Sequence, residues 1–164
     1  GLGRTHQIPR PFGKMTVFEN MLVGAVHGGR LKERHARNEV KEILDLIGLS
    51  SMKDRLAGGL SLLNRKTLEL GRALATQPRL LLLDEIAGGL TEKEAAQVLT
   101  TVKKIRERGI TIVWIEHILM MMSEGVDRLL FLSQGRQVQC GNPREVMNSE
   151  EVLECYLGRE EEEE

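Results

Sequence analysis

The chain has 164 residues, of which 41% are hydrophobic and 29% charged, the profile of a globular domain with a real core and not of a disordered or fibrous chain. Aromatic residues make up only 3%, which argues against base stacking on single-stranded nucleic acid as the main activity. The net charge of −1 hides an uneven spread: residues 1–79 carry 14 basic and 7 acidic groups, residues 80–149 carry 8 and 9, and residues 150–164 carry 1 and 8.

In chain order, the opening Gly1-Leu2-Gly3-Arg4 reads as the inside of a domain rather than a natural start. Ile8-Pro9-Arg10-Pro11-Phe12-Gly13 is a stiff extended loop, because proline disfavours helix at itself and at the residue before it. Thr16-Val17-Phe18-Glu19 is a capping box that predicts a helix to about Val26, broken by Gly28-Gly29. Val40, Ile43, Leu44 and Ile47 share one helical face, and Gly48 suits the end of that helix. Ser61 can cap a helix over residues 62–76 that Gln77-Pro78 stops. The period then changes. Residues 80–83 are four leucines, a strand buried on both faces; Thr91 to Glu94 is a second capping box; residues 110–115 predict another buried strand. Strand, helix, strand is a βαβ unit. Residues 129–132 and 137–140 predict an antiparallel hairpin at the sheet edge. Asn142-Pro143 opens a short helix, and Ser149 caps a last one ending at Gly158. The run Glu160 to Glu164 is read as part of a disordered acidic tail over residues 159–164.

Cys140 and Cys155 form no CxxC pair, and His6, His27, His35 and His117 have no metal-ligand spacing. No apolar run reaches the roughly 18 residues of a membrane span. Three places can carry chemistry. Leu80-Leu81-Leu82-Leu83-Asp84-Glu85 puts two carboxylates at the carboxyl end of a buried strand, where α/β ligands bind. Asp84 there could hold Mg²⁺, and Glu85 could orient or deprotonate a water; a simple turn is the plainer alternative. His117 ends the neighbouring strand and could reach a terminal phosphate, although a lone His at a strand end is more often structural and only its relation to Asp84-Glu85 lifts it. Ser61 starts a helix, whose N–H groups and dipole suit an anion, although taken by itself an ordinary cap is the better explanation.

In this order the three pieces resemble the ATP-binding subunit of ABC transporters. The resemblance covers residues 1–158. It places Gln7 on the Q-loop glutamine, Leu60-Ser61-Leu62-Leu63-Asn64 on the signature motif, residues 80–85 on Walker B, residues 88–91, with Gly89 and Leu90, on the D-loop, and His117 on the switch histidine. Gln7-Ile8-Pro9-Arg10-Pro11-Phe12, Arg72-Ala73-Leu74-Ala75-Thr76-Gln77-Pro78 and Tyr156-Leu157-Gly158 look like the branched-chain amino acid uptake branch.

The resemblance implies an α/β fold: an incomplete RecA-like P-loop NTPase core, residues 1–9 and 79–158, with an inserted α-helical subdomain, residues 10–78. It implies ATP and Mg²⁺ as ligands, with Asp84 and Gln7 at the metal, Glu85 as base and His117 on the γ-phosphate. Ser61, Leu62, Leu63 and Asn64 would act in trans on ATP held by a second ATP-binding subunit. The implied partners are transmembrane permease subunits, with a periplasmic or extracellular solute-binding protein acting indirectly, and no nucleic acid. The implied place is cytoplasmic, peripheral on the inner face of the membrane. Phe12 and Phe18 are candidate apolar anchors against a permease, with core residues of the helical lobe as the equal alternative.

The chain also departs from the family. No G-x-x-x-x-G-K-[ST] phosphate loop occurs; before Gly13-Lys14 stands Ile8 in place of the first Gly, and Met15 follows. The family signature is Leu-Ser-Gly-Gly-Gln, and here Leu63 is expected to put bulk where backbone N–H groups approach a phosphate. Thr91 ends the D-loop in place of an acid or amide, Ile86 replaces a usual Pro, and Ile118 follows the His. A phosphate loop normally precedes the Q-loop, so the expectation is a chain that begins after it and is inactive alone. The rival reading is a degenerate, non-catalytic module docking on a permease. An ABC ATPase of DNA repair shares the motifs, but the residue 7–12 loop and the lack of long coiled-coil insertions speak against it.

Overall fold

The computed structural model describes residues 1–157, so the tail and the Gly158 helix end lie outside the described residues. The chain divides into two compact units, Gly1–Glu116 and His117 onward.

The first unit is built on three parallel strands, β1 (Leu2–Arg4), β2 (Leu80–Asp84) and β3 (Thr111–Ile115), in that order, with β2 central. The register pairs Leu2 with Leu80, Arg4 with Leu82, Leu82 with Val113, and Asp84 with Ile115. Because side chains alternate, these residues share one face, and Leu81 and Leu83, both wholly buried, share the other. That second face packs on helices α3 (Leu62–Ala75) and α4 (Glu92–Glu107) in one continuous core with Leu68, Leu70, Val98, Val102 and Ile105. Among the described residues the first face is only partly covered. Leu2, Val113 and Ile115 are 61%, 51% and 62% exposed. The sequence predicts β3 buried on both sides; it is half-buried on one, through Ile112 and Trp114, and exposed on the other, because α3 and α4 lie on the same side of the sheet. The three-residue β1 also went unforeseen.

Helix α1 (Val17–Val23) starts at Thr16, whose hydroxyl accepts from Glu19 N–H at 3.1 Å while the Glu19 carboxylate accepts from Thr16 N–H at 2.7 Å. The helix does not stop near Val26 but widens into a π-turn over Gly24–Gly28. Contact with the end of α3 explains this. A Cβ on Gly24 would stand 2.8 Å from the Arg72 carbonyl oxygen, so only glycine lets the two backbones touch. Helix α2 (Glu33–Leu46) buries Ala36, Val40, Ile43 and Leu44 and ends before Gly48 at φ +74°. Short 3₁₀ turns, Ser50–Met52 and Ala57–Gly59, lead to Ser61. The loop after Gln7 is pinned by Asn20. Its wholly buried amide accepts from Phe12 N–H at 2.8 Å and donates to the carbonyls of Phe12, Met15 and Thr16.

The second unit holds α5 (Leu119–Glu124), β4 (Leu129–Ser133), β5 (Arg136–Gly141), α6 (Pro143–Met147) and α7 (Glu150–Leu157) around Leu129, Val146 and Val152. Gln134 and Gly135, at φ +48° and +76°, make the tight turn of the hairpin. The hairpin pairs as a two-stranded sheet of its own, not as an edge of the parallel sheet. Helix α5 is short and lacks a side-chain cap, so nothing local announced it. Among the described residues no helix is long and apolar enough to cross a membrane.

Candidate functional site

The carboxyl end of β2 brings Asp84, Glu85 and Gln7 together. β1 continues into Thr5, whose N–H bonds the Leu82 carbonyl at 2.9 Å and whose hydroxyl accepts from Asp84 N–H at 3.2 Å. Arg4 pairs with Asp84 at 3.2 Å, with both side chains part-exposed, so the pair contributes little to stability and mainly orients the carboxylate. Gln7 Nε2 donates to Glu85 Oε2 in a close hydrogen bond, which points the Gln7 carbonyl oxygen away from the acid. Glu85 N–H bonds the Ile115 carbonyl at 2.9 Å. The backbone of Glu85 lies at φ +44°, a strained left-handed conformation for a residue with a side chain.

Two buried charged residues hold the turn that follows. Glu116, 8% exposed, accepts from Ala87 N–H at 2.8 Å. Lys66, 6% exposed, donates from α3 to the carbonyl oxygen of Glu85 at 3.0 Å and towards that of Gln7 at 3.4 Å. Burial pushes the Lys66 amine below its ordinary range, and the Glu116 and Glu85 carboxylates oppose that shift. Lys66, Glu116, Thr5 and Arg4 were not singled out from sequence. Their partners are distant in the chain, although Glu116 stands beside His117 and Thr5 and Arg4 lie just before Gln7, both of which were.

The signature segment is held differently. Ser61 is exposed and caps α3, its hydroxyl accepting from Asn64 N–H at 3.3 Å. Asn64 Nδ2 turns to Met52 Sδ at 3.4 Å. Leu63 does not put its bulk outward as expected. It packs on the core, because it shares the helical face of Leu70 and Leu74. Leu62 is the outward residue, 45% exposed, and a Cβ on Gly89 would stand 3.4 Å from its Cδ2. So Leu62 lies against Gly89, at φ +75°, while Leu90 is half-buried against the core. His117 is exposed and opens the second unit.

Among the described residues no group of three His, Cys, Asp or Glu could hold a metal ion. One carboxylate and one amide oxygen at a strand end fit Mg²⁺ that arrives already bound to phosphate and water, and do not fit a resident metal.

The ABC transporter family profile matches residues 1–88. The chain is 34% identical to the high-affinity branched-chain amino acid transport ATP-binding protein LivG of Salmonella typhimurium, over 96% of this chain and 68% of that protein. It is 32% identical to the corresponding BraF protein of Pseudomonas aeruginosa, with the same coverage of both chains. Among solved structures it is similar to MJ1267, an ATP-binding cassette of an ABC transporter in its ADP conformation. There the TM-score is 0.85 and the identity 32%, over 96% of this chain and 68% of that one.

Proposed function

The chain belongs to the ABC transporter family, and from that premise we propose that it serves as an ATP-binding subunit of an importer, coupling MgATP binding and hydrolysis to uptake of branched-chain amino acids. Its fold is the α/β cassette of that family. We assign residues 1–9 and 79–158 to the RecA-like core and residues 10–78 to the helical subdomain. The observation that carries the reading is the convergence of Gln7, Asp84 and Glu85 at the carboxyl edge of β2.

In this reading Asp84 and the Gln7 side-chain oxygen hold the Mg²⁺ that rides on the nucleotide. The ion supplies charge neutralisation of the phosphates. Glu85 takes the proton of the attacking water on its carboxylate, and the Gln7 amide fixes the rotamer from which it does so. Arg4 and Thr5 fix Asp84 from the neighbouring strand. His117 contacts the γ-phosphate, by family resemblance alone. Ser61 and Leu62 face the nucleotide of a second ATP-binding subunit, with Leu63 and Asn64 behind them in the same segment and Gly89 and Leu90 in the loop between. The permease meets the loop after Gln7. Phe12 is 45% exposed under the Arg72 guanidinium, 4.8 Å from its ring centroid, and so suits an anchor. Phe18 packs on the core and does not. A solute-binding protein acts through the permease, and the subunit sits at the cytoplasmic face of the membrane.

The test is hydrolysis of MgATP by the natural gene product with its permease. Phosphate release should vanish in Glu85→Gln while ATP binding survives. Release that is indifferent to Glu85→Gln overturns the assignment. The 164 residues contain no G-x-x-x-x-G-K-[ST] loop, so tested by themselves they should bind ATP weakly and release no phosphate above background. The altered signature Leu62-Leu63-Asn64 favours a second reading, a non-catalytic subunit that docks on the permease. Association with the permease without any release that depends on Glu85 would select it.

A further inference from the structure

We propose that Lys66 is a positioning residue that ties helix α3 to the two loops carrying Gln7 and Glu85, so that the pair is held at one spacing. The role rests on the reading of Gln7 and Glu85 given above, but the clamp itself rests on geometry. Lys66 sits one turn into α3, two residues past Asn64, and its side chain runs inward. Its ammonium donates to the Glu85 carbonyl at 3.0 Å and towards the Gln7 carbonyl at 3.4 Å. These are backbone atoms of two segments 78 residues apart, the same two segments whose side chains meet in the Gln7 to Glu85 hydrogen bond.

The Glu85 peptide shows why such a clamp is needed. Its φ of +44° is a conformation that the chain does not keep unless the surroundings impose it. Ile115 accepts from its N–H and Lys66 donates to its carbonyl, so the residue is gripped at both ends. On packing grounds alone an apolar residue would serve α3 better at this depth, because a buried ammonium must be desolvated. Two carbonyl partners, with Glu116 and Glu85 as the opposing charges, are what the site gains from a lysine. The same helix starts at Ser61, where Leu62 lies against Gly89. A rigid α3 therefore links the signature end to both loops through one side chain.

The experiment is hydrogen exchange on the full chain, comparing the unsubstituted protein with Lys66→Met and Lys66→Arg. Methionine keeps the apolar stem and removes the donors. Exchange should then speed by about tenfold at the amides of residues 85–88 and 5–8, the size expected for a lost charge-assisted hydrogen bond. Amides of β2 and of the buried face of α4 should change much less. Arginine should restore most of the protection. A rise spread evenly over the first unit, or no rise in the two loops, overturns the proposal. Should Lys66→Met fail to fold, the unsubstituted chain decides: the Lys66 ammonium should give an exchange-protected ¹⁵N signal, and its absence overturns the clamp. In the hydrolysing protein, Lys66→Met should lower kcat and leave KM nearly unchanged. The exchange result does not depend on nucleotide, so a failed clamp and a failed ATPase reading are told apart by this experiment and by Glu85→Gln.

Discussion

At the carboxyl edge of β2 the hydrogen bonds reach across the chain, whereas at the start of α3 they stay near home. Thr5 to Asp84, Arg4 to Asp84 and Gln7 to Glu85 span 79, 80 and 78 positions, and Glu116 to Ala87 spans 29. Ser61 to Asn64 spans 3, Arg65 to the Gly58 carbonyl 7, and Asn64 to Met52 12. The edge exists only once β1, β2, β3 and α3 have assembled, so each of its residues is constrained by several others. The helix start forms with its own helix. It can accept Leu62, Leu63 and Asn64 without loss of the fold, which is where this chain departs most from its family.

If the edge is as interdependent as this contrast requires, its buried members should be the most costly to remove. Glu116→Ala should show the largest effect, about 2–3 kcal/mol in urea unfolding, because it strips a buried N–H of its acceptor and buried Lys66 of an opposing charge. Glu116→Gln keeps an acceptor oxygen and should lose distinctly less. An equal loss in both would place the effect in the charge and not in the Ala87 contact. Thr5→Val comes next, at about 1–2 kcal/mol, since the shape is kept and only the acceptor for Asp84 N–H disappears. A neutral result there would mean that the edge does not need its long-range bonds, and the contrast would break.

The same contrast explains what could be read in advance. The capping boxes at Thr16 and Thr91, the cap at Ser61 and the leucine strand are local patterns, and each stands where its pattern put it. Asp84, Glu85 and Gln7 were legible through motif order. Lys66 was not, because nothing in Arg65-Lys66-Thr67 says which carbonyls lie 19 and 59 residues away. The bare face of β3 was not legible either: an apolar run reads the same whether one side or both are covered. Leu62 and Leu63 could have been told apart from the period of α3, since Leu63 and not Leu62 lines up with Leu70 and Leu74.

That distinction gives a smaller effect on the local side of the comparison. Leu62→Gly and Leu63→Gly both introduce glycine into the first turn of α3, but only Leu63 also leaves the core. Leu63→Gly should therefore cost about 1 kcal/mol more than Leu62→Gly in the same unfolding measurement. In a hydrolysing protein the gain in turnover should follow Leu62→Gly, which clears the space beside Gly89, and not Leu63→Gly. The reverse order would mean that α3 is turned differently when the site is in use.

The smallest effect concerns the helix starts themselves. Thr16 and Thr91 each have a Glu three residues on, and each ring closes both ways. The N–H groups of Thr16 and Thr91, followed by their hydroxyls, hold the Glu19 and Glu94 carboxyls below their ordinary range. A lowered carboxyl adds stability that is present above its unfolded value and is lost as pH falls through the folded one, so both boxes should weaken in acid, below about pH 4.5. Glu19→Gln with Glu94→Gln should flatten that part of the pH profile. Ser61 has Asn64 at the matching position, one methylene too short, and Asn64 turns to Met52 instead of back to Ser61. The family pattern Leu-Ser-Gly-Gly-Gln is itself a Ser-x-x-Gln capping box. Asn64→Gln should thus close the ring and raise stability by about 0.5 kcal/mol, with no new dependence on pH. Asn64→Glu should match it at neutral pH and lose the gain in acid, as the two natural boxes do. If neither substitution stabilises, the Met52 contact is worth as much as the missing half of the cap, and the start of α3 is less local than its hydrogen bonds suggest.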